Sequence, residues 1–187
     1  MTDTVRLVAG DDEAEISLLG AEARVWRSGG KGILWRSDPQ IWPRTSPVLF
    51  PIVGRTRNNA IVVGGRSYPM QVHGFAAASR FAVVQQAADS ILLRLTDDEL
   101  TRRSFPFSFR LEIAYRLMPG CLSAEFSVEN TDRQPLPYAL GLHPGFSWPF
   151  SGSNRVGHRI DFAAPERADV PVITNDGLFS DARRRVP

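Results

Sequence analysis

Cysteine is almost missing from this chain of 187 residues: Cys121 stands alone. A single thiol excludes an intrachain disulfide and suits a reducing compartment. It directly follows Pro119-Gly120 and reads as a turn-flanking strand residue, not a nucleophile. No apolar run approaches the ~20 residues that a membrane-crossing helix requires. The opening Met1-Thr2-Asp3-Thr4-Val5 has neither the basic nor the apolar region of a signal peptide. A cytoplasmic location without a membrane partner is therefore expected. An excess of one charge is also lacking, since the formal net charge is only +2. The runs Arg102-Arg103 and Arg183-Arg184-Arg185 are short and carry no interleaved aromatics, so they read as solvated surface and no nucleic-acid partner is expected. Sustained 3.6-residue periodicity and internal repeats are absent as well.

What is present is ordinary for a soluble globular protein: 43% hydrophobic and 22% charged residues, with a length that favours one domain over 1–187. The clearest pattern has period two. In Arg110-Leu111-Glu112-Ile113-Ala114-Tyr115-Arg116-Leu117 the large apolar residues fall on odd numbers. After Met118-Pro119-Gly120-Cys121 they fall on even numbers, at Leu122, Ala124, Phe126 and Val128. Two such runs around a Pro-Gly turn predict an antiparallel hairpin with one wet face. Shorter strands are expected at 5–9, 14–19, 23–27, 60–63, 80–85, 91–95 and, after the 151–154 loop, 159–162. The stretch after Gly64-Gly65-Arg66 would close a second hairpin with 60–63. Thr96-Asp97-Asp98-Glu99 has the form of a capping box, continued by residues 100–103 and stopped by Pro106. The tail from Ala163 is weakly patterned. The expected fold class is all-β, an antiparallel sandwich or barrel. The Pro-rich stretch 38–51 is too apolar for a tether and is expected to pack over a sheet and deliver Arg55.

Three histidines exist, and two share a setting. His73 in Gln71-Val72-His73-Gly74-Phe75-Ala76 and His143 in Gly141-Leu142-His143-Pro144-Gly145-Phe146 each lie beside Gly and Phe after an apolar run. Imidazole titrates nearest physiological pH, so the pair points to proton transfer; a satisfied core position is the blander reading of each. Pro144 disfavours helix at His143 and holds it extended. His158 has no motif around it and is expected at the surface. Separations of 70 and 15 residues between successive histidines fit no short ligand spacing, so no metal site is expected. Trp42 and Trp148, each near a motif, are the tryptophans placed best to stack on a ring.

Pro47-Val48-Leu49-Phe50-Pro51-Ile52-Val53-Gly54-Arg55 and the two histidine motifs, in this order, resemble the aldose 1-epimerase (galactose mutarotase) family, with the LacX-like branch nearest. The resemblance runs from about Val5 to the Phe162 region. It implies a galactose mutarotase-like antiparallel β-supersandwich, incomplete at the C-terminus, that binds a hexose without cofactor or metal. It further implies an isomerase that interconverts α and β anomers by acid/base-catalysed ring opening. His143 would be the general acid at the ring oxygen, and His73 would hydrogen-bond the sugar near C1. Arg55 would contact sugar hydroxyls with its rigid fork of donors. Phe75, Phe146 and Trp42 would shape the substrate-binding wall. The family's general-base glutamate and a sugar-binding aspartate fall later than this chain extends, and Glu166 lacks their context. Two alternatives stay open: a carbohydrate-binding or sensing domain without the base, and a hexose-6-phosphate epimerase using Arg44, Arg55 and Arg57. Homo-oligomers are expected where an unfinished sandwich leaves strand edges unpaired.

Overall fold

The computed structural model describes residues 3–149, 156, 158–165 and 167–185. Strands β1 (Thr4–Ala9) and β2 (Asp12–Ser17) form a hairpin, and β3 (Ala23–Ser28) and the short β4 (Lys31–Gly32) extend it into a four-stranded sheet in chain order. Every other residue of β2 faces inward, with Ala14 and Ile16 fully buried. Asp12 is inward too. Its carboxylate accepts the Gly29 N–H (3.1 Å) and the Gly120 N–H (2.6 Å), so it ties two distant turns together and is satisfied despite burial.

The Pro-rich stretch ends in β5 (Val48–Leu49), followed by the hairpin of β6 (Ala60–Val63) and β7 (Arg66–Pro69). A second four-stranded sheet comprises β8 (Ala82–Gln86), β9 (Ser90–Thr96), β10 (Phe109–Met118) and β11 (Cys121–Asn130), each paired antiparallel with the next. The alternation anticipated around Pro119-Gly120 holds: Phe109, Leu111, Ile113, Tyr115 and Leu117 are all buried. β10 packs against β1 and β2, so the core lies between the two sheets, where Leu7, Ile16, Leu93 and Ile113 are excluded from solvent. A Phe50–Phe75–Phe105–Phe109 cluster continues the core beneath the Pro-rich stretch, with ring centroids 5.1–6.4 Å apart. β12 (Gly141–Leu142) pairs with β5, and β13 (Asp169–Ile173) pairs with β14 (Phe179–Arg185). Among the described residues no helix is long and apolar enough to cross a membrane.

Five expectations are corrected. The helical turn α1 (Glu99–Arg102) is capped by Asp98, not Thr96. Thr96 closes the β9 ladder opposite Arg110, so its backbone is already committed. The reciprocal cap is Asp98 Oδ1 accepting the Thr101 N–H and Thr101 Oγ1 accepting the Asp98 N–H. Residues 159–162 form no strand. Ile160 and Phe162 are exposed, no neighbouring strand pairs with them, and Arg159 folds back to Asp161 at 2.9 Å. The tail, in contrast, contains the β13–β14 hairpin, whose turn is closed by the Gly177 N–H donating to the Thr174 carbonyl. Strand 14–19 ends at Ser17, because Leu19 pairs only as a bridge with Arg80. Strand 80–85 accordingly begins later, at Ala82. The 151–154 loop and Glu166 lie outside the described residues.

Candidate active site

His73 is held by the backbone around it. Its N–H donates to the Gly54 carbonyl (2.8 Å), its carbonyl accepts from Phe50 N–H (3.2 Å), and its Nδ1 accepts from Gly54 N–H (3.0 Å). An acceptor at Nδ1 assigns the neutral tautomer with hydrogen on Nε2, which leaves Nε2–H as the group available to a ligand. Burial, with His143 a lesser cause, lowers the His73 pKa below its ordinary value. The Gly54 amide works in the same direction, because protonating Nδ1 would set two donors against each other.

This makes a signed prediction. The unfolded chain takes up a proton at His73 before the folded one does, so stability falls as pH drops below about 6.5. His73→Gln should flatten that part of the profile. Urea denaturation of both proteins at about pH 5 and pH 8 checks it; equal pH sensitivity would refute the linkage.

Gly74 makes this arrangement possible. It has φ +75°, and a Cβ there would overlap the Phe50 carbonyl, which accepts from both Phe75 N–H (3.0 Å) and Ala76 N–H (3.1 Å). Gly74→Ala is expected to lose about 3 kcal/mol in denaturant titration, from strain at positive φ together with displaced backbone.

His143 reaches the same place from another part of the chain. Its segment is clamped on two sides. His143 N–H donates to the Pro47 carbonyl (3.1 Å) and Gly145 N–H to the Thr45 carbonyl (2.7 Å), while the Gly145 carbonyl accepts from Trp35 N–H (2.9 Å). Gly145 is required by packing, since a Cβ would sit 2.7 Å from the Trp42 ring. That proximity brings the Trp42 indole to 5.2 Å from the His143 ring, and the His143 and His73 ring centroids are 6.4 Å apart at 60°. Half-buried His73 and exposed His143 thus share one surface with Trp42. Among the described residues, neither of these two imidazoles is hydrogen-bonded to a carboxylate, and no cluster of metal-ligating side chains occurs.

The other anticipated residues are placed differently. Arg55 adjoins Gly54 and hence His73, but its guanidinium donates to Asn59 Oδ1 (3.0 Å) and lies against Gly177 of the β13–β14 turn. The Asp176 carboxyl beside it is held below the usual carboxylate range, first by the Thr174 hydroxyl, with Arg55 and Arg57 contributing. Phe75 packs its ring against Phe50 and Phe109 of the core and, half-buried, also lines a hollow of about 210 Å³ with Met70, Gly74 and Ser104, which His73 and His143 do not line. Phe146 lies on the face opposite His143, because side chains alternate along an extended segment. With Leu142 and Pro144 it lines an apolar hollow of about 130 Å³ against Tyr115 and Leu122. Trp148 stacks near His158, 4.9 Å away, and not at the pair; His158, expected at the surface, is half-buried. Arg44 donates to the Ala77 carbonyl (3.2 Å) and lies 3.8 Å from Glu22, whereas Arg55 and Arg57 act on Asp176.

One residue was missed. Glu22 is 1% exposed, and its Oε1 accepts the N–H groups of Thr45 (2.7 Å) and Ser46 (3.0 Å). It thereby fixes the segment that clamps His143. Its only sequence signal is a lone charge inside the apolar run Leu18-Leu19-Gly20-Ala21-Glu22-Ala23.

Stacked antiparallel sheets with paired imidazoles on one surface define an all-β protein of the galactose mutarotase-like fold. The sequence profile described as aldose 1-epimerase matches residues 3–175, and the chain belongs to that family. It is 26% identical over 165 residues to the plasmid-borne protein LacX of Lactococcus lactis, covering 84% of this chain and 55% of LacX. Among solved structures, a galactose mutarotase related enzyme from Lactobacillus acidophilus superimposes with a TM-score of 0.86 at 30% identity, covering 98% of this chain and 62% of that one. A galactose mutarotase-like protein from Lactobacillus casei gives 0.74 at 30% identity over 76% of this chain and 49% of its own. The chain therefore spans 49–62% of the length of these relatives.

Proposed function

We propose that this chain carries the imidazole pair of an isomerase that interconverts the α and β anomers of a hexose. The observation that carries the proposal is the convergence of His73 and His143, 6.4 Å apart, from segments 70 residues distant in sequence. In the reaction the ring oxygen gains a proton, the C1 hydroxyl gives one up to water, and the bond from C1 to the ring oxygen breaks to leave an open-chain aldehyde. Rotation about the C1–C2 bond and reclosure give the other anomer. His143, the more exposed imidazole, is assigned as the acid that protonates the ring oxygen. His73, kept neutral with Nε2–H outward, donates a hydrogen bond to oxygen at C1 and disperses the charge that develops there. Trp42 offers an aromatic face for the pyranose. Arg55 is assigned to a sugar hydroxyl, which requires its guanidinium to leave Asn59.

A second reading has its own observation: no carboxylate is bonded to the pair among the described residues, as a carbohydrate-binding domain without the base would have it. Polarimetry of fresh α-glucose and α-galactose, combined with calorimetric titration of each sugar, separates the two. Faster approach to anomeric equilibrium supports the isomerase; His-dependent binding without turnover supports the binding domain. The hexose-6-phosphate variant is disfavoured at Arg44, Arg55 and Arg57, given their separate partners. Self-association through the outer edge of β11, unpaired among the described residues, belongs to the same proposal and is read by light scattering.

A further inference from the structure

We infer that two copies of this chain join their second sheets into one, with β11 pairing antiparallel to β11 of the other copy about a two-fold axis at Phe126. This rests on the self-association already assigned to the β11 edge, and it is independent of the sugar chemistry.

The free backbone groups decide which residues can take part. The Pro119-Gly120 loop closes on the pair Met118–Cys121, so odd-numbered residues of β11 spend their N–H and C=O groups on β10. The alternation persists at the far end, where Thr131 N–H donates to the Ser108 carbonyl (3.3 Å). Leu122, Ala124, Phe126 and Val128 therefore turn theirs outward, and among the described residues they meet no partner strand. Their side chains lie on the core side yet are only half-buried, whereas Leu117, Tyr115 and Ile113, paired with the first three, are buried. Unspent ladder groups and uncovered apolar surface thus end at the same edge.

The other edges are blunted. β8 is five residues long and bulged between Val83 and Gln85, and β4 has only two residues. On β1 the Val8 N–H is taken by the Ala88 carbonyl (2.8 Å). β11 runs ten residues in unbroken register and carries neither proline nor lysine, the usual guards of a free edge.

A second β11 satisfies these groups only when even-numbered residues face even-numbered ones. An axis at Glu125 would set that carboxylate opposite its own copy, a destabilising like-charge pair. An axis at Ala124 shortens the overlap. With the axis at Phe126, residues 122–130 of both copies overlap, Glu125 faces the partner's Ser127, and the two Phe126 rings meet. Glu129 is already paired with Arg110. The partner's Val128 then stands opposite Ala124, at the margin of the hollow of about 130 Å³ that Ala124 lines with the exposed Phe146.

The test is sedimentation equilibrium of the chain from micromolar to millimolar concentration, where a monomer–dimer equilibrium is expected. Ala124→Pro removes an N–H that bonds to nothing within one copy, and an edge strand tolerates proline at such a position. It should raise the dissociation constant at least about tenfold, while the dilute chain keeps the parent's circular dichroism. Cross-linking reads the register. In a Cys121→Ser background, oxidising a mixture of Glu125→Cys and Ser127→Cys proteins should link one to the other faster than either to itself. Facing residues that exchange no hydrogen bond lie about 4.5 Å apart, within reach of a disulfide. A chain that stays monomeric at millimolar concentration overturns the inference together with self-association. An unchanged dissociation constant in Ala124→Pro, or faster self-linking of the Glu125→Cys protein, overturns the inference and leaves self-association standing.

Discussion

His143→Ala is expected to slow the anomerisation of α-glucose or α-galactose by about 10²–10⁴-fold, the usual contribution of one positioned proton donor. The ring oxygen of a pyranose is a weak base, so its departure from C1 without a proton would generate an alkoxide at full cost. His143 is suited to supply the proton because its backbone is clamped at residues 143 and 145 while its ring stays open to solvent. Polarimetry at saturating sugar reads the effect directly. His73→Gln should have a smaller effect, since an amide N–H can replace the imidazole donor while losing the fixed tautomer. An unchanged rate in His143→Ala, with measurable activity in the parent, would refute the assignment of the acid. Equal binding of sugar by both variants would place their losses in the chemical step.

Glu22→Ala is expected to cost about 3–5 kcal/mol, among the largest single effects in the chain, because it strands the Thr45 and Ser46 amides without an acceptor in a buried place and opens a cavity there. For a protein of this size that lowers the thermal midpoint by roughly 6–20 °C. The carboxylate accepts from Thr45 and Ser46 and lies 3.3 Å from Arg24 and 3.8 Å from Arg44. Beside it, burial and then Glu22 itself push the Tyr115 phenol above its ordinary pKa, and the hydroxyl donates to the Ala21 carbonyl at 2.9 Å. Thr45 and Pro47 carry the carbonyls that hold Gly145 and His143, so loosening this segment should also broaden the His143 resonances in NMR. Glu22→Gln keeps an acceptor for the two amides and should cost less. A loss below about 1 kcal/mol in Glu22→Ala would show that the segment is anchored elsewhere.

Much of the sheet framework is legible in the chain itself. The odd-to-even switch around Pro119-Gly120 fixes the β10–β11 hairpin, because side chains alternate across a pleat and one face must be dry. The capping residue lies two positions beyond the one that the pattern Thr-x-x-Glu suggests, because that local pattern cannot reveal that Thr96 is already spent on a β ladder. The 159–162 stretch has strand-like composition but no partner strand, and an unpaired strand gains no ladder hydrogen bonds. Asp176-Gly177 was the available turn signal for the late hairpin. Phe75 and Phe146 sit beside the histidines in sequence and yet face elsewhere. Neighbours in an extended chain point to opposite sides, so a motif names residues without naming their faces.

The order of residues alone determined the alternating strands, the all-β class and the two imidazole motifs, since each rests on local periodicity and side-chain chemistry. Only the tertiary structure decided that His73 and His143 meet over Trp42, that Glu22 holds their support, and that Arg55 turns to Asn59. These depend on long-range packing and on which buried polar group finds which partner. The free energy of those contacts is set by the whole enclosure and not by any stretch of chain within it.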